Sequence, residues 1–94
     1  MAKLLDAVTA NSESAAQDYA DLVTLNFQGT FAGARCAIMI SSDSGASWQP
    51  HSNLIHAPEI RNLQLQVSDP PIQYKVKLVD AGATTNVTVI EGAI

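Results

Sequence analysis

The chain has 94 residues, enough for one domain over positions 1–94 but too few for two independent hydrophobic cores. Hydrophobic residues make up 47% of it and charged residues only 15%, which argues against an intrinsically disordered chain. Nine acidic and five basic residues give a net charge of −4, which disfavours a nucleic-acid partner, because phosphate backbones are also negative.

The sequence predicts no association with a membrane. No apolar run reaches the roughly 18 residues that a membrane span requires. The first residues, Met-Ala-Lys-Leu-Leu-Asp, do not predict a secretory signal. Cys36 is the single cysteine, so no internal disulfide can form.

Period-two alternation of apolar and polar residues predicts antiparallel strands with one face in a core. The expected strands cover positions 4–9, 23–27, 34–40, 63–67, 72–78 and 87–89. Turn sequences separate several of them, namely Asp43-Ser44-Gly45, Asp69-Pro70-Pro71 and Asp80-Ala81-Gly82. The pattern predicts an all-β fold, a single antiparallel sandwich or small barrel of about six or seven strands.

Positions 11–22 leave two interpretations open. The segment begins with Asn11, a favourable helix N-cap, and it contains early acidic residues and several alanines, all of which favour a short helix. Isolated short helices are marginal without a packed face. A polar loop between two strands is therefore the alternative.

The most specific motif is Ser41-Ser42-Asp43-Ser44-Gly45-Ala46-Ser47-Trp48, which fits the Asp-box pattern Ser-x-Asp-x-Gly-x-Thr/Ser-Trp. We expect Gly45 to supply the positive φ of a tight hairpin turn and Asp43 to accept backbone N–H groups across it. Trp48 is expected to fold back as a large apolar plug. A sialidase propeller needs several blades of about 40–50 residues, and this chain has one box. Ser41, Asp43, Gly45, Ser47 and Trp48 are thus predicted to form a structural hairpin.

Three further features have some chemical character but favour simpler explanations. Asp43 with Ser42 and Ser44 could suggest a calcium loop, yet the further oxygen ligands and the terminal Glu do not follow. Cys36 lies in an alternating apolar strand and is predicted to be a buried small hydrophobe, although Arg35 is its neighbour. Without a Gly-x-Ser-x-Gly elbow or a phosphate-binding glycine loop, the sequence predicts no catalytic set and no enzyme.

A second possible metal group contains His51, His56 and Glu59. Zinc ligands on a helix are spaced three or four residues apart, and Pro50 and Pro58 disfavour a helix here. The sequence therefore predicts no bound metal and no cofactor.

Lys75 and Lys77 share the polar face of the strand at positions 72–78. We expect them to keep an exposed sheet face or edge soluble, and steering of an acidic partner is the alternative. Asn86-Val87-Thr88 also fits the acceptor pattern for glycosylation.

Four segments follow one another in a recognisable order: Gly-Thr-Phe-Ala-Gly-Ala (29–34), the Asp-box, Tyr-Lys-Val (74–76) and Asn-Val-Thr-Val (86–89). This order resembles small β-sandwich virion proteins of tailed bacteriophages. In those proteins a Gly-Thr-Phe-Gly-Gly-Ala strand leads to Ser-x-Asp-Gly-Gly-x-Thr-Trp, and a Tyr-Arg/Lys-Val strand precedes a final valine-rich one. The chain departs from the pattern at Ser44, where Gly is common, and in its loop with His51 and His56, whose role stays open.

The resemblance implies a non-enzymatic protein that is made in the host cytoplasm and incorporated into the virion. Capsid decoration, or cementing, is the preferred role, with the major capsid protein or other virion proteins as partners and a homo-oligomer as the expected state. One alternative is a tail, neck or fibre-anchoring component. Another, from a different class, is a carbohydrate-binding sandwich, in which Tyr19 and Phe31 would be the aromatic residues not needed in the interior.

Overall fold

A computed structural model describes residues 2–19, 22–51, 54–67 and 70–91. This part of the chain forms nine strands and no helix, and so contains no helix that could span a membrane. The strands are β1 (Ala2–Val8), β2 (Ser12–Glu13), β3 (Gln17–Asp18), β4 (Val23–Thr30), β5 (Arg35–Ser41), β6 (Gln49–Pro50), β7 (Glu59–Leu63), β8 (Gln73–Val79) and β9 (Asn86–Glu91).

The strands form two antiparallel sheets that pack face to face as a sandwich. Sheet A has the strand order β1-β9-β4-β7. Sheet B has the order β2-β8-β5-β6, and β3 pairs with β8 on the same edge as β2. The predicted all-β sandwich is thereby confirmed.

One apolar layer between the sheets forms the core. Leu25 and Phe27 of β4 in sheet A and Val76 and Leu78 of β8 in sheet B belong to it, and each of these side chains is at most 1% exposed. Complete burial of one such side chain contributes roughly 1.5–3 kcal/mol. The other core residues are Leu5, Tyr19, Phe31, Ala34, Cys36, Ile38, Ile55, Leu63, Tyr74, Val87 and Val89.

Positions 11–19 form neither a helix nor a free loop. β2 and β3 lie end to end along β8, and positions 14–16 connect them. The Ser14 N–H donates to the carbonyl of Val76, and its Oγ accepts from the Val76 N–H at 2.9 Å. The Tyr19 N–H donates to the Ile72 carbonyl, which brings the Tyr19 side chain into the core. A helix would need these backbone groups for its own bonds; positions 20 and 21 lie outside the described residues.

The strand predicted at positions 63–67 is displaced toward the N-terminus. β7 covers Glu59–Leu63, and Leu63 pairs with Val23, the first residue of β4. Beyond that point β7 has no strand partner among the described residues, so Leu65 is only half-buried and Val67 is 65% exposed. Asp69 of the predicted Asp69-Pro70-Pro71 turn lies outside the described residues.

The strand count also exceeds the expected six or seven. Six strands have five or more residues and correspond to the alternating runs. The additional three, β2, β3 and β6, have two residues each, which is too short for a periodic pattern to reveal.

Gly29 allows close approach between β4 and β9. It has a φ of +103°, and a Cβ built on it would overlap the carbonyl oxygen of Asn86. Gly33, in the following turn, has a φ of +88° but no atom within 4 Å of the same position. Both glycines thus have a positive φ, and they differ in the space around them.

Gly29→Ala is expected to destabilise the protein more than Gly33→Ala. Gly33→Ala carries only the cost of a left-handed backbone, about 1–2 kcal/mol. Gly29→Ala adds a clash with the backbone of β9. Urea unfolding of both variants measures the difference, and equal losses of stability would contradict the close approach.

Candidate functional site

The Asp-box forms the turn of the hairpin between β5 and β6, and a compact set of hydrogen bonds holds it. The Ser41 Oγ accepts from the Gly45 N–H at 2.9 Å and donates to the Asp43 Oδ1 at 2.7 Å. The same Asp43 Oδ1 accepts from the Ser47 N–H at 2.9 Å, and Oδ2 accepts from the Ser47 Oγ at 2.6 Å. The chain reverses through positive φ values at Ser44 (+59°) and Gly45 (+90°).

The Asp43 carboxylate is therefore used inside its own turn. The hydrogen bonds from Ser47, and then the one from Ser41, lower the pKa of Asp43 to about 2. These bonds occupy both carboxylate oxygens and leave little capacity for a calcium ion, which prefers six to eight oxygen ligands. Within the described residues, no group of three or more His, Cys, Asp or Glu side chains could hold a metal ion.

Trp48 is not the interior plug that the motif predicts. Its side chain is half-buried, and its ring lies beside the turn, since a Cβ built on Gly45 would be 3.9 Å from the Trp48 Cζ2. The Lys75 Nζ lies 4.4 Å from the centre of the Trp48 ring, a cation–π geometry. Because Lys75 alternates with the buried Tyr74 and Val76, this contact is on the outer face of sheet B.

Three aromatic residues differ from the expectation: Tyr19 and Phe31, which are not expected in the interior, are buried, and Trp48 is only half-buried. Tyr19 and Phe31 are only 3% and 4% exposed and belong to the core, so neither is available to stack on a sugar. The Tyr19 ring meets the Tyr74 ring edge-on, with centroids 6.3 Å apart. Trp48 instead keeps part of its surface in solvent.

Lys75 also joins the turn to the opposite edge of sheet B. Its Nζ forms an ion pair with the Glu13 Oε1 at 2.6 Å, and this hydrogen bond lowers the pKa of Glu13. Glu13 of β2, Lys75 of β8 and Trp48, the residue before β6, are thus joined through Lys75. Alternation along β8 placed Lys75 outward, but no sequence signal identified Glu13 as its partner.

The proposed histidine group is dispersed over exposed segments. His51 follows β6 and donates its backbone N–H to the Ile38 carbonyl, and His56 is exposed in the loop before β7. Glu59 begins β7 and accepts from the Arg61 Nη2 at 2.8 Å. The carboxylate of this group is therefore already paired with a guanidinium.

Cys36 is buried, as the alternation predicts. It is 0% exposed, and burial raises the pKa of its thiol to about 12. A thiol with that pKa is protonated at neutral pH and is a poor nucleophile.

Among the described residues, every buried side-chain nitrogen or oxygen atom has a hydrogen-bond partner. The Tyr74 hydroxyl donates to the Glu91 Oε2 at 2.9 Å. The pKa of Tyr74 is raised, mainly by burial and secondly by this hydrogen bond. The Thr85 Oγ1 donates to the Phe31 carbonyl and accepts from the Gly82 N–H.

A surface groove of about 490 Å³ lies along β2 and β8; its lining residues are Asn11, Ser12, Glu13, Lys77, Leu78 and Val79.

The outer faces of the two sheets differ in charge. Sheet B presents charged side chains outward, among them Glu13, Arg35, Lys75 and Lys77. Over β4, β7 and β9, the outward positions of sheet A are all uncharged, whereas on β1 the charged Lys3 shares this face as the partner of Ile90. These positions are Thr24, Asn26, Gln28, Thr30, Ile60, Asn62, Asn86, Thr88 and Ile90.

Comparison of the chain with protein-family models, with curated proteins and with solved structures found no match.

Asp43→Asn is expected to lower stability at pH 6, by an amount that shrinks in acid. The folded-state pKa of Asp43, about 2, lies below its ordinary value of 3.8. The carboxylate therefore contributes its stabilisation fully above about pH 4, and this is lost as the pH falls toward 2. Urea unfolding of wild type and variant across this pH range measures the difference in stability, and a difference independent of pH would contradict the prediction.

In Ser47→Ala, NMR titration should show the pKa of Asp43 raised toward its ordinary value, because the hydrogen bond that lowers this pKa most is removed.

Lys75→Ala is expected to expose Trp48. Removing the side chain uncovers the ring face, so acrylamide should quench the fluorescence of the single tryptophan more strongly. Lys77→Ala removes the next outward lysine of β8 and serves as the control, with quenching expected to remain unchanged. Equal quenching in both variants would show that Lys75 does not cover the ring.

Proposed function

We propose that the protein is a non-enzymatic structural protein of a bacteriophage virion and, within that class, a capsid decoration protein. The sequence resemblance suggests the virion class. The observation that carries the decoration role is the uncharged outer face of sheet A, defined by the outward positions of β4, β7 and β9. This face is proposed to lie against the capsid shell.

The composition of this face is that of a protein contact surface. The buried centre of a protein interface is depleted of charged residues, because burial of an unpaired charge is costly. Asn26 and Ile90 pair directly across β4 and β9, and both are half-buried. The uncharged face ends at β9, because Ile90 has Lys3 of β1 as its partner on the other side. The chain has a net charge of −4, but its charged residues lie outside the outward positions of β4, β7 and β9. These positions are therefore suited to contact with another protein.

The polar groups that could have suggested catalysis support the same proposal. Asp43 is hydrogen-bonded within its turn, Glu59 is paired with Arg61, and Cys36 is buried. Each of these groups is thus bonded or buried within the single chain. This use of the reactive residue types suits a protein whose role is structural.

A repeated shell compensates for a modest interface in each copy. Symmetry presents the same site many times, and contacts that bridge neighbouring capsid subunits add their effects through effective concentration. A small, rigid face is therefore sufficient, and no deep groove is needed on the decoration protein.

Gln28→Lys is expected to weaken binding to undecorated shells of the phage that encodes the chain by roughly tenfold or more, because it introduces a charge into the contact surface. Co-sedimentation of shells with increasing amounts of protein measures the affinity and the number of copies bound. Gln49→Lys is the matched control, since it adds the same charge at an exposed strand position of sheet B. This control should bind as the wild type does.

The copy number separates decoration from the main alternative. A decoration protein saturates the shell at on the order of hundreds of copies, whereas a tail, neck or fibre-anchoring component is present in a few to some tens. Wild-type protein that does not bind shells, or that is found only at the tail in electron micrographs, would contradict the decoration role. Equal binding by the two lysine variants would contradict the use of sheet A.

A further inference from the structure

Exposed sheet edges present backbone N–H and C=O groups to solvent, and folded proteins usually protect them. In the described part of the chain, three of the four sheet edges have such protection. β1, at one edge of sheet A, has two register shifts against β9 and carries the charged Lys3 and Asp6. Sheet B ends on both sides in strands of only two residues, β2 and β3 on one side and β6 on the other.

β7, the other edge of sheet A, also carries two charged residues, but it has neither a register shift nor a length of only two residues. It pairs with β4 over its whole length without a register shift. Ile60 projects from its outer face and is 51% exposed. Glu59 and Arg61, which flank Ile60, form an ion pair with each other at 2.8 Å, so their charges largely cancel in the single chain. The strand therefore offers a regular edge with little net charge to repel another strand.

The sequence Glu59-Ile60-Arg61 is complementary to itself when two copies run antiparallel. In the register that places Ile60 opposite Ile60, Glu59 of each copy lies opposite Arg61 of the other. Directly opposed residues in an antiparallel pair have Cα atoms about 4.5–5.5 Å apart, close enough for cross-strand contacts. This register forms two ion pairs between the copies and covers both isoleucines.

Neighbouring registers are disfavoured. A shift of two residues in one direction places Arg61 opposite Arg61, and a shift in the other direction places Glu59 opposite Glu59. Like charges directly opposite each other are destabilising. The favoured register has two-fold symmetry and uses up both edges, so the pairing ends at a dimer and does not continue into a fibre.

We propose that β7 is the interface of a homodimer, in which two chains pair antiparallel through Glu59–Leu63 around a two-fold axis at Ile60. The two copies of sheet A then become one continuous sheet. Its outer face joins the two uncharged faces described above. The dimer does not depend on the proposed function, because it requires only a second copy of this chain.

The first test exchanges charges between two variants. Glu59→Arg leaves two positive residues in β7 and Arg61→Glu leaves two negative ones, so each variant alone should be monomeric, with its dimer dissociation constant raised at least about tenfold. An equimolar mixture should restore the dimer, because every opposed pair is again of opposite sign. The ion pair within the chain is lost in both variants, so it cannot account for this restoration.

Sedimentation velocity up to about 100 µM measures the masses, and circular dichroism shows whether each variant retains the strand signal. Wild type is expected to have twice the mass of one chain over this range. A wild-type chain that stays monomeric would overturn the proposal, as would a mixture no more dimeric than its components.

The second test fixes the register and does not depend on the charge variants. Oxidation of Ile60→Cys should give a disulfide-linked dimer on a non-reducing gel, since the two positions are opposed within the range of a disulfide. Asn62→Cys is the control on the same face, because in this register it lies about 13 Å along the strand from its counterpart. Cys36 does not interfere, because it is fully buried. Cross-linking at position 62 but not at position 60 would overturn the proposed register.

Discussion

The structure depends on the burial of one apolar layer between two sheets, and β8 organises that layer. Tyr74, Val76 and Leu78 point into it, while β5 pairs with one edge of the strand and the segment around Ser14 with the other. A slip of one residue would bring Lys75 into the core, so burial specifies the register strongly. This register places Lys75 on the outer face of sheet B, where it makes its cation–π contact with Trp48.

The polar residues of the chain form two groups. Those of the first group hydrogen-bond to one another within a turn, and those of the second group are charged and lie on the surface. The Asp-box belongs to the first group, since Ser41, Asp43 and Ser47 satisfy one another within a few residues. The surface charges belong to the second, and they lie on sheet B and at the edges of the domain. Sheet A is left with uncharged outward positions over β4, β7 and β9 and with one regular edge, β7. The two proposals use these two surfaces, and neither requires a reactive group.

Much of the fold could be predicted from the sequence, because alternation is a local property. The buried sides of β4, β5, β8 and β9 correspond to the alternating residues, and Cys36 is buried as its position in that pattern indicates. The Asp-box turn could also be predicted, since Gly45 and the side chains that bond across it are close in sequence. For these features, the spacing of residues along the chain is enough to predict which side chains are buried and how the turn forms.

Features that depend on a distant partner could not be predicted in this way. Tyr19 is in the core because its backbone pairs with Ile72, and β7 ends at Leu63 because β4 begins at Val23. The place of Trp48 likewise depends on β8. The sequence by itself determined the class of fold, which residues alternate inward and how one hairpin turns. Only the tertiary structure decided which strands form the edges and which aromatic residue remains in solvent, because pairing between distant segments leaves no periodic signal in either segment.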